Sequence, residues 1–568
     1  MKSKWITRAV WSLGGILGAL VIGGCTAPQS TPGPTGVVGE QLPAQPKVAR
    51  LVMAVPPPAR EVNEPRLSGP PDSWQLRPMY EYLVGVDATT GDARRPQLAS
   101  EWSLEPNGKS YRFKLRKGIQ FHGDWGEFTA KDVMFTRKDF IIQDAGEHNQ
   151  AAWFRNLVED IEVPNDYEVV FRNSRPDADF LWGVSEQSGS YFEIRSKAHF
   201  DAKGVPTMTT EAYAGSGPYR FVERRAGEYL RYARAFEKHW RVTPDFPEFE
   251  FRFIKEASTR MAGLLTGEMH VASLPSDLQL QAEQRGMKTL SARASGLRTF
   301  MAAACCFYDG PVTGETSKIT PGWMFPDSPL MDVRVRKALD KAIDRDALNK
   351  AFFQGKGQRM VINHFRPDRA GWNPEWEKRW SEEYGYDPAK AKALLGEGGY
   401  TATKPLSTDI QLLNLAAYGG AQDLMEAIAG YWKAVGVQVQ LLQIDPAVDV
   451  RNQRQYAYSN QFRAIATSAY QLVGMTYNST LDGTSRSSGA TDPKVNALVK
   501  ELYRTLDPQK ADQLWRQVGD VTFETHISFP LFWLPTEAVV NPTYVSDWVF
   551  PGSISGGWTH VENMKAAR

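Results

Sequence analysis

Few residues in this chain stand at spacings that support chemistry. His122 and Asp124 lie two apart, near enough for an imidazole–carboxylate dyad. The preferred reading is a loop histidine satisfied by its neighbours. Gly108-Lys109-Ser110 has the tail of a phosphate-binding loop, but the first glycine that loop needs falls on Ser103. Pro106-Asn107-Gly108 before it reads as a hairpin turn. No His-Glu-x-x-His, no Gly-x-Ser-x-Gly elbow and no dinucleotide fingerprint occurs, and the 8 histidines show no pair at metal-ligand spacing. The chain is therefore expected to be no enzyme and to hold no metal or cofactor. Of the 3 cysteines, Cys305 and Cys306 are adjacent. Neighbouring Cα atoms are ~3.8 Å apart, below the usual disulfide window of about 4.4–6.8 Å, so two buried free thiols are expected.

The third cysteine has a different setting. Lys2, Lys4 and Arg8 precede an apolar run that ends Ile22-Gly23-Gly24-Cys25. A basic start, a short apolar region and small residues before a cleavage point describe a secretory signal peptide, here residues 1–24. The run contains glycines and falls short of the ~20 residues that a spanning helix needs. Its end resembles the bacterial lipobox, which implies that Cys25 is lipidated and becomes the first mature residue. Residues 25–47, rich in Pro, Gly, Ser and Thr, read as a flexible tether. Loss of residues 1–24 removes three basic and no acidic residues, taking the net charge from +1 to −2. A near-neutral body carries no electrostatic footprint for nucleic acid.

The length of 568 residues suits more than one core. Strands are expected at 48–55, 111–115, 167–171 and 248–253, from alternating or β-rich runs. Trp74 to Val86 looks helical. Thr129 is placed to cap a helix that starts near Ala130. After Cys306 helices lengthen: 333–343, 389–395, 422–435, 492–505 and 508–523, with strands at 437–441 and 527–532. Helix, short turn and strand in succession is the α/β rhythm. Aromatic residues make up 11%, including 17 Trp, enough for large interior surfaces or a stacking pocket.

Several separated segments carry a family resemblance. Arg95-Pro96-Gln97-Leu98-Ala99-Ser100-Glu101-Trp102 is similar to "P-x-L-A-x-S-W", and 107–122 to "DG-x-x-Y-x-F-x-L-R-x-G-V-x-F-H". Phe128 to Thr136 resembles "F-T-A-x-D-V-x-F-S", and Gly215-Ser216-Gly217-Pro218-Tyr219 resembles "G-T-G-P-Y". Leu265 to Met269 belongs to the same ordered set. Asp332 to Arg345 and Tyr386 to Leu395 follow as "D-x-R-V-R-x-A-L-x-x-A-I-D-R" and "Y-D-P-x-K-A-K-x-L-L". In that order, across 48–540, they resemble the bacterial extracellular solute-binding proteins of family 5, the peptide/nickel-type receptors of ABC importers.

The resemblance implies an α/β, two-lobed periplasmic-binding-protein-like clamshell, type II and of the large oligopeptide-binding-protein type. Lobe one would take 46–300 with an inserted subdomain at about 86–214, lobe two 301–529, and 530–568 would return to lobe one. It implies a monomer, held at the periplasm or the outer face of the cytoplasmic membrane by a lipid anchor on Cys25. Such a receptor captures a peptide or other small solute and delivers it to ABC permease and ATPase subunits. An envelope lipoprotein without a transport role and an extracytoplasmic hydrolase are the rival readings.

Most of these motifs have structural roles, Asp344-Arg345 being expected to close a helix end with an ion pair. The ligand contacts are instead expected at Trp74, His364, Phe365, Arg366, Trp372, Tyr470 and Gln471. In peptide receptors of this kind, an acid in "W-x-x-D-x-x-D-P-D" pairs with the peptide amino group. The corresponding stretch here, Ala466 to Met475, has no carboxylate. An unpaired buried ammonium costs several kcal/mol, so a free peptide N-terminus is poorly served there. Tyr470 and Gln471 suit stacking on and hydrogen bonding to a neutral or sugar-like ligand; core packing of Tyr470 remains the other reading.

Overall fold

The computed structural model describes residues 46–568 apart from 59, 66–71, 93, 143–150, 189–191, 208–209, 294–295, 308–322, 413–420, 446–447, 450, 453–454, 456, 469–489, 492 and 553–556. The signal peptide, Cys25 and most of the tether lie outside the described residues, as do Tyr470 and Gln471. Among the described residues no helix is long and apolar enough to cross a membrane.

Two large sheets organise the chain. The first has seven strands in the order Lys288–Ser291, Glu537–Val540, Val271–Ala272, Arg50–Val55, Glu248–Phe253, Tyr229–Arg234 and Tyr219–Arg225. Its central strand, Arg50–Val55, has parallel partners on both sides. A central parallel strand is covered on both faces, which is why it reads as an unbroken apolar run. Leu51, Met53 and Val55 face one core with Tyr232, Phe249 and Phe251. Val52 and Ala54 face another with Leu264, Met269 and Val539.

The second sheet has six strands, ordered Gln358–Arg359, Ser528–Leu534, Leu297–Ala304, Gln461–Ser468, Ser407–Leu412 and Gln438–Gln443. The helices Val333–Lys341, Arg345–Phe353, Pro388–Glu397 and Ala421–Ala434 supply Leu339, Leu348, Leu394 and Trp432 to a core with Met301, Ile410, Phe462 and Phe529. A satellite core forms where Pro374–Tyr384, Pro493–Arg504 and Pro508–Thr525 bury Trp376, Val499 and Trp515 together. Fully burying a large apolar side chain contributes about 1.5–3 kcal/mol, so these clusters dominate the folding energy. The architecture is an α/β two-lobed clamshell with an added subdomain in the first lobe.

That subdomain has its own four-stranded antiparallel sheet, Ala99–Leu104, Tyr111–Leu115, Glu168–Asn173 and Val158–Asn165, with Phe113, Phe171 and Phe180 inside. The Asp132 carboxylate accepts from the Thr129 N–H (2.9 Å) and from the Lys197 N–H (2.8 Å), fixing the start of the helix Ala130–Phe140.

Three local expectations are corrected. Trp74 to Val86 forms no long helix: a 3-10 turn spans Ser73–Gln75 and a strand spans Val84–Gly85. The segment is buried on every side, and Pro78 interrupts any helical ladder. Cys305 and Cys306 are joined in a disulfide, with Cα atoms 3.7 Å apart, and are not free thiols. The chain leaves the strand Leu297–Ala304 and enters Cys306–Phe307 between them, which brings both sulfurs to the Leu330 carbonyl, at 3.7 and 3.4 Å. Finally, Asp344 and Arg345 do not pair with each other. Asp344 caps its helix by accepting from the Ala347 N–H (2.9 Å), while Arg345 pairs with the buried Asp340.

Candidate functional site

Two crossings connect the sheets. Ser291 ends a first-sheet strand and Leu297 begins a second-sheet one; Leu534 ends a second-sheet strand and Glu537 begins a first-sheet one. The second sheet thus holds 297–534, a few residues wider than the expected 301–529. The crossings run side by side: the Ala292 N–H donates to the Thr536 carbonyl (2.8 Å). A Cβ on Gly296 would lie 2.0 Å from the Leu534 carbonyl oxygen, so only glycine fits there. Beside the crossings, Lys356 Nζ reaches Gln279 Oε1 (2.7 Å) and Glu537 Oε2 (3.1 Å). The lobes also meet through the inserted subdomain, where the Ala178 N–H donates to the Tyr503 carbonyl (2.9 Å).

A polar cluster lies at these strand ends. Arg298 is the second residue of its strand, cross-strand partner of Trp533 and buried. Its Nη1 donates into the His364 imidazole, 2.8 Å from Nε2, and to Asn363 Oδ1 at 3.2 Å. Burial first, then Arg298 and Arg369, hold His364 well below the usual imidazole range, so the ring is neutral and accepts. His364 has φ 76°, a left-handed conformation uncommon outside glycine. Arg366 stacks over Trp533 (5.6 Å to the ring centre) and donates from Nε to Asp368 Oδ1 (3.0 Å).

Of the expected contact residues, His364 and Arg366 meet in this cluster. Phe365 turns away into the satellite core, 5.1 Å from Trp376 and 5.8 Å from Trp515. Trp372 covers the same core from its edge, 5.6 Å from Trp376. Trp74 is buried in the first lobe, 4.6 Å edge-on to Phe251 and 6.2 Å from Trp558. Arg298, Asn363 and Arg369 were not anticipated. The available signal was Arg366-Pro-Asp-Arg369, two arginines one turn apart in a proline-bearing loop.

A cavity of about 220 Å³ lies in the first lobe, between Gly85–Ala88, Arg95–Gln97, Glu186, Arg241, His560 and Asn563. Its charges are largely matched: Glu186 to His560 (3.3 Å), and Arg241 to Glu81 (3.1 Å) and Glu562 (3.0 Å). The network ties the subdomain to the chain's C-terminal segment. Burial pushes Glu81 up to about 7 despite Arg241.

The family model "Bacterial extracellular solute-binding proteins, family 5 Middle" matches residues 94–491. This chain belongs to family 5. The dipeptide-binding protein of Escherichia coli strain K12 is 28% identical over 384 residues, 64% of this chain and 66% of that protein. The aligned regions span 55–66% of the lengths of three curated relatives. The periplasmic binding protein DppA from Helicobacter pylori, in complex with the peptide STSA, superposes with TM-score 0.70 at 20% identity, covering 91% of this chain and 98% of that one. NikA from Brucella suis, in complex with Fe(III)-EDTA, gives 0.72 at 21%, covering 91% and 99%. Both have this two-lobed fold.

In this family 5 protein the histidine nominated for a dyad is used structurally. His122 is buried, with Nε2 donating to the Gly217 carbonyl (2.8 Å), and burial lowers its pKa to about 4. Among the described residues, no group of three or more His, Cys, Asp or Glu side chains is placed to hold a metal ion.

Proposed function

We propose that this family 5 protein is the extracytoplasmic receptor of an ABC importer, anchored by lipid on Cys25 and acting as a monomer without catalysis. It captures a small solute between its lobes and presents it to a membrane permease. The paired crossings carry this reading: two adjacent strands joining two sheets, with Gly296 held against Leu534, form a hinge about which lobes close. Relatives named for a dipeptide and solved with a peptide or a metal chelate support a solute of that size. The absence of a carboxylate from 466–475 argues against recognition of a free peptide amino group.

Among the expected contacts, we assign His364 and Arg366 to the solute, with Trp372 at its margin; Tyr470 and Gln471 stay proposed contacts on sequence grounds alone. Trp74 and Phe365 act behind the wall, as packing. Native mass spectrometry of the mature protein as purified tests the reading. A bound small molecule released on unfolding is expected. A protein that carries none, and that binds nothing from a broad peptide and metabolite library, would contradict it.

A further inference from the structure

The loop 363–369 and the strand that begins at Leu297 gather three guanidinium groups, from Arg298, Arg366 and Arg369. The Asp368 carboxylate, whose side chain is 63% exposed, pairs with Arg366. The Arg369 backbone N–H closes a turn onto the Arg366 carbonyl (3.1 Å), so the two side chains leave the same turn. Arg369 Nη1 is buried and has no hydrogen-bond partner among the described residues. Burial, and then Arg366, push Arg369 down to about 10, so it stays charged at neutral pH. A buried, charged donor without an acceptor costs free energy, which an anionic ligand oxygen would recover.

Ring contacts hold the cluster in place. Trp533 takes the face of Arg366, which leaves the in-plane N–H donors at the edge of the guanidinium. Phe300 lies against the Arg298 guanidinium, 5.2 Å from the ring centre, and helps to hold it in place. His364, neutral, accepts from Arg298 and adds no charge. Planar forks held by their faces, with one edge left for hydrogen bonding, match carboxylate and phosphate oxygens.

We propose that Arg366 and Arg369, braced by Arg298, His364 and Trp533, form an anion-recognition subsite that makes this receptor selective for solutes bearing a carboxylate or phosphate group. The inference rests on the solute-receptor reading and names the ligand class for it. The cluster stands where the crossings bring the lobes together, so an anion bound there would touch the mobile junction and favour one arrangement of the lobes.

Matched pairs of probes test it on the mature protein by calorimetry: succinate against succinamide, dialanine against dialanine amide, and glucose 6-phosphate against glucose. Binding is expected for at least one acid and not for its neutral partner. Arg369→Gln and Arg366→Gln are each expected to weaken it at least tenfold, with partial recovery in Arg369→Lys. The carboxylate and phosphate arms separate the two possible anions. Arg366 is only partly buried, its side chain 22% exposed, so Arg366→Gln carries the test should Arg369→Gln fail to fold. Equal binding of an acid and its partner, acid binding unchanged in both variants, or no acid bound would each overturn the subsite. Closure on a neutral probe, seen by scattering, would then leave the receptor reading standing; no closure with any solute would remove both.

Discussion

His122 and His239 donate to successive carbonyls of one turn, Gly217 (2.8 Å) and Ser216 (3.0 Å), and His270 Nδ1 accepts from the Val52 N–H (2.8 Å). Burial lowers the pKa of all three to about 4. Their folded pKa lies below the unfolded value near 6.5, so between pH 6.5 and 4 the unfolded chain binds more protons. Stability is then complete above pH 6.5 and falls as pH drops through that window. Thermal melting is expected to drop steadily from pH 7 to pH 4, more shallowly in His122→Gln; an unchanged slope in that variant would show that His122 is not one of the groups responsible. The buried Arg345–Asp340 pair makes a second residue-scale case, with Arg345 Nε also donating to the Pro530 carbonyl (2.7 Å). Arg345→Met leaves the buried Asp340 with only the His526 imidazole (3.2 Å) and should cost about 3 kcal/mol in urea denaturation. The sequence marked Arg345 through its motif but suggested Asp344 as partner. Adjacent residues compete for the cap, and nothing local reveals that Asp340, five residues back, is buried beneath the helix.

Helix starts were legible where Asp387-Pro388 and Asp507-Pro508 precede the helices expected at 389–395 and 508–523; each aspartate accepts from the backbone N–H three residues on. The helix Pro374–Tyr384 was not expected, though Asn373 caps it in the same way, accepting from the Glu375 N–H. Asp507→Ala should cost about 1 kcal/mol, read as a fall in urea midpoint at constant slope. Helix interiors were less legible. Gly519 lies within the helix Pro508–Thr525 because a Cβ there would stand 2.2 Å from the Trp376 ring. Trp376 is itself buried and held by Asp520 (2.9 Å). Gly519→Ala gains ~1 kcal/mol of helix propensity but loses more to the clash, so a net destabilisation of about 1–2 kcal/mol is expected in the same assay. The run 74–86 was misread for a related reason. A segment buried all round, between the first-lobe and subdomain cores, shows no polar face, and apolar periodicity then cannot distinguish coil from helix.

Across the whole molecule, the two-lobed organisation was legible because its motifs lie in short, local segments: the turn at Gly215–Tyr219, the helix at 333–341 and the cap at 387. The proposed site was not, because it is assembled from Arg298, the loop 363–369 and Trp533, which are far apart in sequence and meet only after the second sheet forms. The same long-range arrangement underlies the proposed receptor action. Lobe one and lobe two are joined at two adjacent crossings and touch again at Ala178 and Tyr503. On the proposed reading, a solute seated near the crossings would gain contacts with both lobes only in the closed form, and so would shift the population toward closure. Small-angle scattering of the mature protein, first stripped of bound solute by unfolding and refolding and then saturated with the solute recovered from it, tests this most directly. The account predicts a smaller radius of gyration on saturation, reversed on dialysis; an unchanged radius with the solute demonstrably bound would contradict it.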